Sequence, residues 1–377
     1  MNVESLCVRN FRNHRESSLE FGKGMNILVG GNGQGKTNIL EAISYVGLTK
    51  SFFSAADATV LQDGQNGFNV DGRVVSDAGT SHAVRIRFDR ESAQKEISVN
   101  GVPLERPTAL IGRFPVVILS PESFRITSGP PVERRRFLDL VLAQRSRTYL
   151  EDLLEYRRVL RQRNRLLFEA KGGYGLDGEL LQPWTESLVS TGSRIMARRR
   201  EFVAEFLGVL RRAHESLAGD GDEIEVSYRS IPAVPEGADV PAIAAEFSRT
   251  LELTRNEEMR RGLTLAGPQR DDLVMTLNRL SVQDHASQGQ HKTLLLSMKI
   301  AECDYLASTL DENPVLLLDD LFGELDMERS ERIVRLISTL GQSIITTTSD
   351  SFFGGFDVLN GKARRFLVKS GTCEVIV

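Results

Sequence analysis

The sequence predicts an α/β fold: a head split in two along the chain, with a mainly α-helical arm domain inserted between its halves. Three observations predict it. A short apolar strand at Met25–Val29 runs into a Gly-rich turn and a helix, and a second apolar strand, Pro314–Leu318, ends in two acids far downstream. Between about 121 and 262 the alternation of strands gives way to apolar residues at three- and four-residue spacing. The last hundred residues return to alternating strand and helix. A chain of 377 residues also exceeds one ordinary core, which fits more than one domain.

The first part of the head is expected over 1–120. Glu4–Val8 and Gly24–Val29 read as strands, followed by a helix from about Lys36 to Val46. Phe68–Arg73, His82–Phe88 and Glu96–Val99 alternate apolar and polar residues between Asp-Gly and Asn-Gly turns, as an antiparallel sheet ending in the buried strand Pro115–Leu119. The arm is expected over 121–262. Leu138, Val141 and Leu142, then Leu150, Leu153 and Leu154, mark helical faces, and a Gly-rich break at Lys171–Gly178 precedes a second long helix, roughly Trp184–Leu217. A proline-rich loop at Ile231–Pro241 and one more helix follow. The second part of the head is expected over 263–377.

Composition is that of a folded soluble protein, 41% hydrophobic and 26% charged. No apolar run approaches the roughly 20 residues of a membrane helix, and the N-terminus has no signal-like core, so a cytoplasmic location is expected. Cys7, Cys303 and Cys373 lie too far apart for a zinc pattern and read as small buried thiols. Net charge is −4, but Arg125 to Arg165 holds eleven Lys/Arg against five Asp/Glu, a basic limb able to meet a phosphate backbone.

Gly30-Gly31-Asn32-Gly33-Gln34-Gly35-Lys36-Thr37 fits the phosphate-binding loop GxxxxGK[ST], in the strand-loop-helix setting that the motif requires. Glycines turn backbone amides toward phosphates, and the helix dipole favours an anion there. Lys36 supplies a point charge for the β- and γ-phosphates, and the Thr37 hydroxyl a ligand for Mg²⁺. The apolar run Val315–Leu318 then delivers Asp319 and Asp320 at a strand's carboxyl end, where ligands of parallel sheets sit. Asp319 is placed to hold Mg²⁺ through water, and Asp320 to polarise the attacking water. Aspartate at the second acid is one methylene shorter than glutamate and orients water less well, which suits slow turnover.

Ser287-Gln288-Gly289-Gln290 opens a long helical stretch one helix, a turn and a strand upstream of Asp319. In ABC-type ATPases a small Ser/Gly loop at a helix start covers the γ-phosphate held by the other protomer, and Ser287, Gly289 and Gln290 are the residues for it here. Gly323-Glu324-Leu325-Asp326 resembles the loop after the acidic strand in the same proteins. The order and spacing of these motifs imply an ABC-type head of the SMC/Rad50-like kind that dimerises around ATP.

Along nearly its whole length the chain resembles the bacterial RecF family. Asn10-Phe11-Arg12-Asn13, the loop with Asn38-Ile39-Leu40-Glu41, Lys50-Ser51-Phe52, Ser120-Pro121-Glu122, Glu133-Arg134-Arg135-Arg136, Gly267-Pro268 with Arg270-Asp271-Asp272, and Ala286 to Gln290 carry the match. The resemblance implies a DNA-repair ATPase that binds ATP and Mg²⁺, with Arg12 among its nucleotide contacts, and forms a homodimer. It implies binding to gapped DNA at single-strand/duplex junctions, and slow DNA-stimulated hydrolysis. It further implies work with RecR and RecO to place RecA on single strands, in replication restart and the SOS response. The chain departs from the family pattern at Phe53, Ser123, Gln269 and His291-Lys292, and Phe53, Ser123 and Gln269 are given no family role.

Arg134-Arg135-Arg136 on a helix spread around its axis, so at least one faces inward or pairs with an acid. Among Arg157, Arg158, Arg161 and Arg165, spacing of three and four puts several on one face, and these are the better candidates for DNA contact. Trp184 is expected to pack the arm. A transporter subunit would lack the basic arm, and an insert of about 150 residues is too short for the coiled coil of an SMC tether. A clamp for which ATP is mainly the glue of the dimer differs from this reading only in turnover.

Overall fold

The computed structural model describes residues 1–53, 55–171, 178–219, 221–235, 237–320, 327–348 and 363–376. In chain order its elements are β1 (Asn2–Phe11), β2 (His14–Glu20), β3 (Met25–Val29), α1 (Lys36–Leu48), β4 (Gly67–Val75), β5 (Ser81–Asp89), β6 (Gln94–Val99), β7 (Val102–Pro103) and β8 (Val116–Leu119). Then come α2 (Arg125–Ser128), α3 (Pro131–Arg145), α4 (Arg147–Lys171), α5 (Gly178–Ala218), β9 (Ile224–Arg229), α6 (Val240–Arg261), β10 (Asp272–Leu277), β11 (Leu280–Ser281) and α7 (Val282–His285). Last are α8 (Gln288–Leu310), β12 (Val315–Leu318), α9 (Met327–Ile337), β13 (Ser343–Thr347), β14 (Arg364–Lys369) and β15 (Thr372–Ile376). The Gly-rich break and the Gly323–Asp326 loop lie, wholly or in most of their length, outside the described residues.

Two compact units divide the chain. One comprises Met1–Phe124, Ala213–Gly219 and Lys292–Val377, the other Arg125–Arg212 and Asp220–His291. Residues 263–291 therefore belong with the helical unit, where the sequence reading gave them to the head. The reason is β-pairing: β10 pairs antiparallel with β9, a strand inside the stretch expected to be helical, and β11 completes that small sheet.

The first unit holds two six-stranded sheets. One is antiparallel, in the order β2-β1-β4-β5-β6-β7, and its strands bury every second residue as the alternation predicts. The other runs β15-β14-β3-β13-β12-β8, parallel except for β15. Pro115–Leu119 was expected to end the antiparallel sheet. Instead β8 pairs parallel with β12, and all four residues of each strand are buried, as strands covered on both faces require. α1 packs on β1, β4 and β5 of the first sheet and on β8 and β13 of the second. Enclosed on both sides, it is buried almost all round from Ile39 to Leu48. Gly47 permits that fit, since a Cβ there would stand 2.8 Å from the Phe114 carbonyl oxygen and the Val116 methyls.

The second unit is held by buried charges as well as by apolar faces. Arg163 reaches Glu258 at 2.7 Å and Thr264 at 2.7 Å, tying α4 to α6. Arg199 on α5 reaches Asp139 at 2.7 Å and the Pro268 carbonyl at 2.8 Å. Arg134 meets Asp272 through two hydrogen bonds and is the inward-facing member of its triplet. Removing one partner of such a pair strands a buried charge, at about 3–5 kcal/mol. Phe137, Phe202 and Phe206 fill the space between α3 and α5. Of the three cysteines only Cys303 is buried; Cys7 and Cys373 are half-buried. Among the described residues no helix is long and apolar enough to cross a membrane.

Candidate functional site

Strand order brings the N-terminal loop and the C-terminal acids together. β3 and β12 flank β13 and all three run parallel, so Val29 and Leu318 end on the same edge of the sheet. The loop Gly30–Gly35 leaves β3 there, and Asp319 and Asp320 leave β12 there. Gly30 N–H donates to the Thr347 carbonyl at 3.2 Å, which fixes the loop's first residue to the end of β13. Gly35, with φ 111°, carries the chain into α1. A Cβ at Gly35 would meet Asn13 and His14 at 2.6 Å, so the turn closes only around glycine.

The start of α1 is open to an acceptor from outside. Gly35 supplies no side-chain cap, and no acid occupies the first turn. The first amides of a helix have no partner within it, so they and the dipole face the loop. The Lys36 ammonium lies back across the loop on the carbonyls of Gly30, at 2.7 Å, and Gly31, at 2.9 Å. Burial lowers the Lys36 pKa below that of ordinary lysine, against the pull of Asp320 and Asp319. An arriving polyanion would reverse that trend.

Thr37 and Asp319 meet directly: the hydroxyl donates to Asp319 Oδ1 at 2.8 Å. Thr346, from the intervening β13, donates to the same oxygen at 2.8 Å and accepts from the Asp320 amide at 2.9 Å. Burial pushes the Asp319 carboxyl above the usual carboxylate range; the two hydroxyls draw it back and the Asp320 charge adds to the rise. A divalent cation beside it would stabilise the carboxylate. Thr37 and Asp319 are hard oxygen donors side by side, and they fit Mg²⁺. Asp320 differs from its neighbour, being exposed and at φ 50°, a left-handed conformation that aspartate tolerates.

Arg12 sits at φ 53° in the β1–β2 turn, with its guanidinium forked onto Glu41 of α1 at 2.8 and 2.7 Å and a third bond to the Thr59 carbonyl at 3.0 Å. Ser51 donates to the same carboxylate at 2.5 Å, and Glu41 is fully buried. Sequence reasoning named Arg12 but missed its partner. The signal was present: one acid in the apolar run Ile39 to Ile43 demands a counter-charge. Asn13 was named in the family match without a role, and His14 was missed. Asn13 donates to the Gln34 carbonyl at 3.0 Å, and buried His14 sits 3.0 Å from the Gly35 carbonyl and 2.8 Å from Ser17. Burial lowers the His14 pKa below the ordinary value, against the pull of the Gly35 and Gly371 carbonyls. No spacing pattern announces such contacts.

Ser287, Gly289 and Gln290 lie in the second unit, exposed at the start of α8. Gln290 N–H donates to Ser287 Oγ at 3.2 Å, and Ser287 N–H donates to Gln290 Oε1 at 2.8 Å. These reciprocal bonds make a capping box, which the Ser-x-x-Gln spacing encodes.

The basic face of α4 is more neutral than its sequence implied. Arg157 pairs with Asp139 at 3.0 Å, Arg158 with Glu155 at 2.6 Å, and Arg165 with Glu169 at 2.8 Å. Arg161 is exposed and has no ion-pair partner among the described residues. Trp184 packs the arm, with Arg158 over its ring at 5.6 Å.

Parallel sheet, glycine loop and paired acids define an ABC-type ATPase head of the SMC kind. The chain matches the family model "RecF/RecN/SMC N terminal domain" over residues 2–365. It is 40% identical to the DNA replication and repair protein RecF of Chloroherpeton thalassium, over 94% of this chain and 96% of that one. It is also 40% identical to the RecF of Salinibacter ruber, over 92% and 85%. A solved structure of the recombination mediator protein RecF-ATPrS in the RecFOR pathway superposes with a TM-score of 0.92 at 29% identity, covering 100% of this chain and 98% of that one. An Smc head bound to the C-terminal winged-helix domain of ScpA, at 14% identity and TM-score 0.56, shares the fold. The chain belongs to the RecF family.

Proposed function

We propose that this chain is an ATP-dependent DNA-binding protein of recombinational repair and replication restart, in which ATP drives dimerisation and is hydrolysed slowly. The observation that carries the reading is the meeting of Thr37 with Asp319 beside a helix start that no side chain caps. Relatives named as DNA replication and repair proteins, and RecF solved with ATP in the RecFOR pathway, support it.

The loop from Gly30 to Gly35 and the first amides of α1 hold the phosphate chain, and Lys36 leaves its two carbonyls to neutralise the β- and γ-phosphates. Thr37 and Asp319 hold Mg²⁺, which when bound screens phosphate charge and orients the terminal phosphate. Asp320 positions the attacking water from its exposed place beside the buried acid. Ser287 and Gly289 act on the nucleotide of a second protomer. Gapped DNA, RecR, RecO and RecA follow as partners from family membership, with the arm as the DNA-facing part.

Sizing the protein with ATP, ADP and neither, with and without gapped DNA, tests this. A dimer with ATP only, whose hydrolysis rises with DNA, supports it. Equal mass in all three conditions sinks it.

A further inference from the structure

The helical unit contains a cavity of about 1180 Å³, larger than the roughly 300–1,000 Å³ of small-molecule clefts. It is lined by the start of α4, the middle of α5, β9 and the loop before α6. None of these residues belongs to the nucleotide site.

Two features mark what it would accept. The first is a free sheet edge. Among the described residues β9 pairs only with β10, so its other side has no strand beside it. Asn278 N–H donates to the Glu223 carbonyl, and the Ile224 carbonyl turns the other way, to Arg211 Nε at 3.0 Å. The register with β10 has no shift, so the N–H and C=O of Val226 and Tyr228 also point away from β10. Ser227, Tyr228 and Ser230 line the cavity.

The second feature is one uncommitted cation. Every acid on the lining is engaged: Asp152 by Arg194 at 2.6 Å, Glu201 by Arg198 at 2.8 Å, Glu151 by Arg147 at 2.8 Å, and Asp239 as the N-cap of α6, accepting from Ala242 N–H at 2.9 Å. Arg200 has no carboxylate among the described residues. Its Nη2 donates to the Pro235 carbonyl at 2.6 Å, and its Nη1, closed off from solvent, has no hydrogen-bond partner among the described residues. A guanidinium without a carboxylate is open to pairing with one supplied by a ligand.

We propose that this cavity is a docking groove for an extended polypeptide segment of a partner protein, which adds a strand to β9 and sets one carboxylate on Arg200. Main-chain bonds to Val226 and Tyr228 give the affinity, and the carboxylate gives the register. Nucleic acid fits less well, because Arg194 and Arg198 are already paired with Asp152 and Glu201, which leaves a single arginine for a string of phosphates.

A display library of short random peptides, selected on the full chain with ATP absent, tests the proposal. The expected result is enrichment of β-prone peptides that share one acidic residue. Their affinity falls about tenfold or more in Arg200→Gln and when the acid is changed to its amide. Hydrogen exchange at the Val226 and Tyr228 amides slows on binding, a readout independent of any variant. No enrichment, affinity unchanged by Arg200→Gln, or protection elsewhere with these amides unaffected would each overturn it. Displacement of the peptides by duplex DNA, with the same two amides protected by DNA, would assign the groove to nucleic acid instead.

Discussion

The two helix starts that carry the motifs are built in opposite ways. α1 opens on Gly35, with no side-chain cap and no acid in its first turn. α8 opens on Ser287 and Gln290, which cap each other's amides. The first start is ready for an anion in the lone chain. The second must give up two hydrogen bonds, each worth about 1 kcal/mol, before Ser287 can serve an outside acceptor. The difference orders the proposed cycle: nucleotide settles on α1 first, and α8 engages only when a second protomer brings phosphate to it.

The largest effect should come from removing the charge at α1. Lys36→Ala is expected to weaken ATP binding by about a hundredfold or more and to abolish ATP-driven dimers. Calorimetry and sizing at matched ATP check it, and a dimer still formed at saturating ATP would break the comparison at its stronger end.

Arg12 gives the next effect and separates two roles. Arg12→Ala strands buried Glu41 and should cost about 3 kcal/mol of stability, read by denaturant unfolding. Adding Glu41→Gln should restore most of that loss. If the double variant is stable but still binds ATP poorly, Arg12 touches nucleotide as well as holding α1; full recovery of both confines it to the brace.

On the arm, Arg161→Glu should lower the slope of log affinity against log salt by about 1 to 2 for duplex DNA with ATP saturating. Arg157→Glu should do less, since Asp139 already occupies that arginine. Anisotropy titrations at several salt concentrations decide it, and an unchanged slope removes this face of α4 from the DNA surface.

The smallest effect is expected at the second helix start. Gln290→Ala opens the capping box and should cost about 1 kcal/mol of stability while leaving ATP binding by the lone chain unchanged. A tenfold loss of that binding would mean that α8 already serves its own chain's nucleotide.

How much of this was legible in the sequence follows the same contrast. The loop at α1 is made of backbone, and its demands are written as glycine spacing, so Gly30 to Thr37 could be placed with the strand before and the helix after. Asp319 and Asp320 were legible because a four-residue apolar run fixes where the strand ends. The capping box was present as Ser-x-x-Gln at 287–290 and needed only to be read as one. What stayed hidden rests on contacts distant in sequence. The pairing of β8 with β12 joins residues about two hundred apart, and an apolar run does not name its neighbour. Arg163 was counted among the arm's positive charges, yet it is buried on Glu258. β9 was missed because six residues of strand lie inside a long helical texture, and only β10 makes them a strand.

The central claim is that Ser287 acts on the nucleotide of another protomer and Lys36 on that of its own. Ser287→Arg tests it most directly, with ATP affinity measured by titration at protein concentrations too low for dimers, and mass measured at high concentration. The account predicts ATP affinity within about twofold of the unaltered chain and no ATP-driven dimer at any concentration. Loss of ATP affinity in the dilute monomer, or a normal dimer with ATP, would contradict it.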